Sequence, residues 1–105
     1  MNKYTELSDF EINRRIAEMD TKNRYVYFEK EQTIFRKFNN GQTQKFNPCN
    51  YPADAMPIII ENKIAMNPKD DIWQCGSGWN VAENKNPLRA CMESYLLMKD
   101  AENES

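Results

Sequence analysis

The sequence contains no histidine. That absence removes the Ser-His-Asp triad, the Cys-His dyad and every zinc site that relies on imidazole. Cysteine is sparse and odd in number, at Cys49, Cys75 and Cys91. An odd set behind an N-terminus with no apolar signal segment argues against a disulfide framework and for a reducing cytoplasm. Their spacings match no paired metal-ligand motif, and without histidine Cys49 and Cys75 make poor nucleophiles. Cys91 falls on the apolar stripe of a helix and reads as a small core residue. Glycine is also scarce, with only three in the chain. Gly76-Ser77-Gly78 lacks the spacing and the following Lys-Ser/Thr of a phosphate-binding loop, so it reads as a hairpin turn. Asp54, Asp70 and Asp71 are too few for a calcium loop, and adjacent aspartates on a strand point in opposite directions. No apolar run approaches the ~18 residues that span a bilayer. No cofactor, metal or membrane partner is expected.

What remains is 105 residues, 40% hydrophobic and 29% charged, with a net charge of −2. That length allows one domain, 1–105, burying roughly two-thirds of the surface its unfolded chain exposes. Ser8 to about Asp20 reads as a helix: Ser8 and Glu11 have capping-box spacing, with Leu7 and Ile12 placed as a hydrophobic staple. Ile12, Ile16 and Met19 then form a narrow apolar stripe. Arg24–Glu29 and Gln32–Phe38 are aromatic and β-branched, an antiparallel hairpin closed by Lys30-Glu31. Asn39-Asn40-Gly41 marks a turn. Pro48, Pro52 and Pro57 predict an ordered loop over Asn47–Pro57 rather than a strand or helix.

The apolar run Ile58–Ile60, with alternation resuming at Ile64 and Met66, reads as further strand, and Asn67–Asp71 as a turn. Ile72–Cys75 is the next strand, leading through the glycine turn into Trp79-Asn80-Val81. Asn86 caps a second helix with Pro87 in its first position. Leu88, Cys91, Met92, Tyr95 and Leu96 give that helix the strongest amphipathic pattern in the chain. Residues 100–105 are expected as a disordered acidic tail. The fold class is therefore α+β: an N-terminal helix, a mainly antiparallel sheet of about four to five strands and a C-terminal helix, with the helices packed on the sheet.

Two groups of residues suggest binding. Residues 21–48 hold six cations against Glu29 and Glu31, a local balance of +4 in a chain of net −2. Arg24, Arg36, Lys37 and Lys45 interleave there with Tyr25, Tyr27, Phe35 and Phe38, a recipe for stacking on bases beside a phosphate track, with Tyr25 or Tyr27 as the stacking residue. The plainer account is a hairpin with a core face and a solvated face. Tyr51, Met56, Trp73 and Trp79 form the second group. Exposed, they would anchor a protein partner; buried, the tryptophans would anchor the core.

Three segments are more specific. They are Leu7-Ser8-Asp9-Phe10-Glu11-Ile12-Asn13, then Phe46-Asn47-Pro48-Cys49-Asn50-Tyr51-Pro52-Ala53-Asp54-Ala55-Met56-Pro57-Ile58-Ile59-Ile60-Glu61-Asn62-Lys63-Ile64, then Asn86-Pro87-Leu88-Arg89-Ala90. In this order, across nearly the whole chain, they resemble the NinX-like family of small proteins of temperate bacteriophages and prophages of enteric bacteria. The resemblance implies a phage accessory protein acting in a bacterial cytoplasm. It supplies no activity, because the family is a domain of unknown function, and no catalytic residues carry over. Under it, the Phe46–Ile64 segment is either a binding surface on a rigid loop or, through Met56 and Ile58–Ile60, a core plug.

The expected function is non-catalytic binding and modulation of a host bacterial protein, a defence system among the candidates, through Tyr51, Met56, Trp73 and Trp79. The alternative is a nucleic-acid-binding accessory protein of phage replication or recombination using hairpin 24–46 through Arg24, Tyr25, Tyr27, Arg36, Lys37 and Lys45. An enzyme would have to work with carboxylates alone, and Asp54, Glu61, Asp70 and Asp71 define no pair with distinct roles. The expected oligomeric state is a monomer or a weak homodimer paired through an edge strand.

Overall fold

A computed structural model describes residues 2–103. The first helix, α1 (Asp9–Met19), starts where the capping box places it. The Ser8 hydroxyl accepts from the Glu11 amide at 3.1 Å, and the Glu11 carboxylate accepts from the Ser8 amide at 3.1 Å. Its Ile12 and Ile16 are buried, so these two members of the apolar stripe face the core, while Met19 at its end is exposed. The hairpin follows as β1 (Arg24–Phe28) and β2 (Thr33–Lys37), and the Asn-Asn-Gly turn leads into a short β3 (Thr43–Lys45). These form one antiparallel sheet in the order β1-β2-β3.

The segment expected as a proline-rich loop followed by a strand is instead a helix, α2 (Pro52–Glu61). Pro52 opens it, where the missing amide costs nothing. Pro57 interrupts it at one bond only, leaving the Ala53 carbonyl without its helical donor. Both Ala53 and Pro57 are exposed, so that carbonyl lies on the solvent side. An apolar run of three isoleucines carries no period that separates strand from helix. The helix divides them: Ile59 is buried, Ile58 packs against the core from its edge, and Ile60 is 67% exposed.

A second antiparallel sheet contains β4 (Met66–Lys69), β5 (Ile72–Cys75) and β6 (Ala82–Asn84), in that order. Most of the stretch expected as a turn over Asn67–Asp71 is strand β4. The turn itself is Asp70-Asp71, with Asp70 at φ +55°, a conformation that aspartate tolerates. Pro68 is accommodated because β4 is an edge strand. After the glycine turn the chain rejoins the sheet at Ala82, three residues later than the Trp79-Asn80-Val81 reading. The last helix, α3 (Pro87–Asn103), is capped by Asn86, whose Oδ1 accepts from the Leu88 amide at 3.0 Å. Residues 100–103, expected as tail, belong to this helix; Glu104 and Ser105 lie outside the described residues.

The α+β class stands, with terminal helices packed on antiparallel strands, but among the described residues there are three helices, and the six strands divide into two sheets. Helix α3 joins the halves. It packs on β5 and β6 and against both other helices, while α1 packs on β2. Cys91, Met92 and Leu96 on α3 meet Ile12, Ile16, Ile34 and Ile59 in one buried cluster.

Candidate functional site

Fold geometry first gathers the polar residues. Arg89 is buried on α3, and its guanidinium uses all three nitrogens. Nε donates to Glu93 Oε2 at 2.6 Å and Nη1 to Asp9 Oδ1 at 2.7 Å; Nη2 donates to the Tyr4 and Leu7 carbonyls at 3.0 and 2.7 Å. Asp9 also accepts from Asn50 Nδ2 at 3.1 Å. Buried Asn13 donates to Asn47 Oδ1 at 2.8 Å and accepts from the Cys49 amide at 3.1 Å. Asn86 closes the seam, its Nδ2 donating to the Cys49 carbonyl at 2.7 Å. Apart from Tyr4 and Glu93, these residues come from Leu7–Asn13, Phe46–Ile64 and Asn86–Ala90, so the three distant segments meet in one network. Its buried groups spend their hydrogen bonds on one another. The seam's evident work is to hold α1, the 47–50 turn and α3 together.

The hairpin has two different faces, because directly opposed residues in an antiparallel pair share a side. Tyr25 opposes Arg36 and Tyr27 opposes Ile34, and buried Ile34 marks this as the core-facing side. Arg24 opposes Lys37, Val26 opposes Phe35, and Phe35 opposes Lys45 on the outer side. The structure thus separates the six hairpin residues singled out for nucleic acid. Arg24, Lys37 and Lys45 are exposed together, whereas Tyr25, Tyr27 and Arg36 point inward. The Arg36 guanidinium lies over the Tyr25 and Phe46 rings, 5.9 and 5.4 Å from their centroids, and its Nε has no hydrogen-bond partner.

That inner side borders a cleft of about 370 Å³ between the end of α1, the sheet and α2, with Asp20, Tyr25, Arg36, Asp54, Glu61 and Tyr95 among its walls. At one end the Tyr25 hydroxyl donates to Asp20 Oδ2 at 2.5 Å. Burial opposes ionisation of Asp20, but hydrogen bonds from Tyr25, Asn23 and the Lys22 amide override it and hold its pKa at about 2. Burial and the Asp20 carboxylate push Tyr25 up to about 12. A carboxylate depressed in the folded state contributes stability above its unfolded pKa, near 3.8, and loses it as pH falls toward 2. A raised tyrosine loses its contribution between about 10 and 12. In Tyr25→Phe, Asp20 is expected to titrate closer to an ordinary carboxylate; NMR titration of its side-chain carbon checks this, and an unmoved pKa would disprove the coupling.

The four residues proposed for a protein partner also separate. Trp73 lies on the same side of β5 as buried Cys75 and packs against the core, and Met56 is half-buried against that core. Tyr51 is 38% exposed at the start of α2, and Trp79, beside Gly78 in the β5–β6 turn, is 99% exposed. Sequence reading missed the natural companions of Met56 on α2. Ala53, Pro57 and Ile60 stand exposed at helical spacing along its outward side, with half-buried Met56 at the edge of the same stripe. The signal was an i, i+3, i+4, i+7 spacing, concealed by the assignment of the segment to a loop. The three cysteines are buried, and burial pushes the Cys49 thiol up.

A family model described as Bacteriophage P22, NinX matches residues 3–99. The chain belongs to the NinX family. No curated protein and no solved structure matches it. For a NinX chain the match runs from just before α1 to the last turns of α3, so the buried seam and both sheets lie inside the family's span. Family membership makes this a phage accessory protein. Among the described residues no helix is long and apolar enough to cross a membrane.

Proposed function

We propose that this NinX protein is a non-catalytic phage accessory protein that acts in the bacterial cytoplasm by binding and modulating a host protein. One observation carries the reading: α2 turns Ala53, Pro57 and Ile60 to solvent, with Met56 half-buried at the edge of that stripe and Ile60 67% exposed. The chain is otherwise strongly polar, with a mean hydropathy of −0.87. Exposed apolar patches rimmed by polar residues are typical of protein contact sites. A helix offering i, i+3, i+4 and i+7 anchors suits an apolar groove on a partner. Trp79 and Tyr51 supply further aromatic surface of the kind that dominates binding energy. A host defence component fits the reading as one class of target.

The test is affinity capture of the tagged protein from an enteric bacterial lysate treated with nuclease. Wild type is expected to retain one stoichiometric host protein, Ile60→Asp to lose it, and Trp79→Ala to weaken it. Both positions are exposed, so the variants should keep the wild-type melting temperature. Absence of any captured protein, or equal capture by Ile60→Asp, would overturn the reading.

A further inference from the structure

The outer face of the first sheet is a separate surface that host-protein binding through α2 leaves unused. Phe28 and Phe35 meet edge to face on it, with ring centroids 5.7 Å apart, and Phe28 is 44% exposed. A shallow hollow of about 480 Å³ opens there, lined by Phe28, Glu31, Thr33, Phe35 and Lys45. Lys45 stands directly across from Phe35, and Arg24 directly across from Lys37. The exposure of Arg24, Phe28, Lys37, Thr43 and Lys45 shows the face uncovered.

The charges on this face are unbalanced. Like charges directly opposed across two strands destabilise the pair. Among the described residues none of Arg24, Lys37 and Lys45 has an ion-pair partner. The second sheet is arranged differently: Lys69 meets Glu83 at 3.0 Å, and Gln74 donates to the same carboxylate at 2.9 Å. That is how a merely solvated face neutralises itself. In a chain of net −2, the first sheet instead keeps three free cations around two aromatic rings.

We propose that this face binds single-stranded nucleic acid, with Arg24, Lys37 and Lys45 on phosphates and Phe28 and Phe35 stacking on bases. Cations that track a backbone beside aromatic platforms are the general means of holding a single strand. A duplex keeps its bases stacked inside and leaves the phenylalanines nothing to engage. Glu29 is occupied by Arg14, so Glu31 is the carboxylate bordering the hollow, and it directs the phosphates toward the Arg24–Lys37–Lys45 side.

The experiment is fluorescence anisotropy of a labelled oligothymidylate of about 12 nucleotides with the full chain. Affinity should fall with salt at a log–log slope near −2, since each of three phosphates contributes about 0.7. Phe28→Ala should weaken binding about ten-fold or more. Lys37→Glu should abolish binding and at the same time raise the melting temperature, because it places an anion across from Arg24. A purely structural Lys37 would give no such opposed pair of results. Lys85→Gln, an exposed cation beyond β6, should change nothing. The proposal is overturned by no binding at about 50 mM salt, by equal loss in Lys85→Gln, or by tighter binding of a duplex of the same length. A captured host protein lost in Lys37→Glu, with no oligonucleotide bound, would assign the face to a protein instead and overturn it as well.

Discussion

Arg89→Ala is expected to lower the unfolding free energy by about 3–5 kcal/mol, the cost of stranding one partner of a buried ion pair. The Glu93 side chain is 1% exposed, and without Arg89 it keeps, among the described residues, only the donor Asn2 Nδ2 at 3.1 Å. The Tyr4 and Leu7 carbonyls lose their donor at the same time, and Asp9 loses its cation. A domain has about 5–15 kcal/mol in all, so the variant should be partly unfolded at growth temperature. Arg89→Lys should rescue little, because an ammonium lacks the planar fork that reaches Glu93, Asp9 and two carbonyls at once. Adding Glu93→Gln to Arg89→Ala should recover part of the loss, since the group left buried is then neutral. Urea unfolding of the three variants checks this. A loss below about 1 kcal/mol for Arg89→Ala would mean that water satisfies Glu93 and that the seam is not what joins α1 to α3.

That arginine marks where reading the sequence stops. The elements with local signals were legible: the Ser8–Glu11 box, the Asn86-Pro87 start and the stripe from Leu88 to Leu96 each depend on neighbours within two turns. Apart from Glu93 one turn on, Arg89 has its partners 80 to 85 residues away, in the segment before α1 and in its first turn. Nothing near position 89 announces a buried cation. Helix α2 failed for a different reason. Pro52 and Pro57 argue locally for a loop, and Ile58–Ile60 has no period. Tertiary packing decides, burying Ala55 and Ile59 on one side and leaving Ile60 in solvent. The division into two sheets has no local signal, because either hairpin pattern is the same whether or not the sheets join. The hairpin faces were legible in principle: odd and even positions of a strand point opposite ways, which sets Tyr25 and Tyr27 apart from Arg24 and Phe28. Grouping the residues by composition instead mixed the two faces, setting Phe35 beside Tyr25 and Tyr27 and leaving out Phe28, which is 44% exposed.

The glycine turn between β5 and β6 supplies the second large effect. Gly76 has φ +99°, a conformation that L side chains rarely adopt. A Cβ added there would stand far inside contact distance of the Ser94 hydroxyl and the Asn80 carbonyl oxygen, and 3.2 Å from Ser94 Cβ. Ser94 is fully buried on α3 and donates to that same Asn80 carbonyl at 2.5 Å, while the Gly76 amide donates to Ala65 at 2.9 Å. Glycine at 76 therefore lets the turn fold back onto α3, and a methyl group would force the two apart. Gly76→Ala should cost about 1–2 kcal/mol from the backbone and about 1–3 kcal/mol more from overpacking. Gly78 separates the two terms: it too has positive φ, at +59°, but nothing lies within 4 Å of an added Cβ. Gly78→Ala should then show only the backbone cost, and the difference between the variants in urea unfolding measures the steric part. Adding Ser94→Ala to Gly76→Ala should restore only a fraction, because the Asn80 carbonyl remains in the way. Equal losses at 76 and 78 would show that the turn moves freely off α3. Trp79 would then be carried on a pliable tip, and its nearly complete exposure would be a poor basis for a fixed contact with a partner.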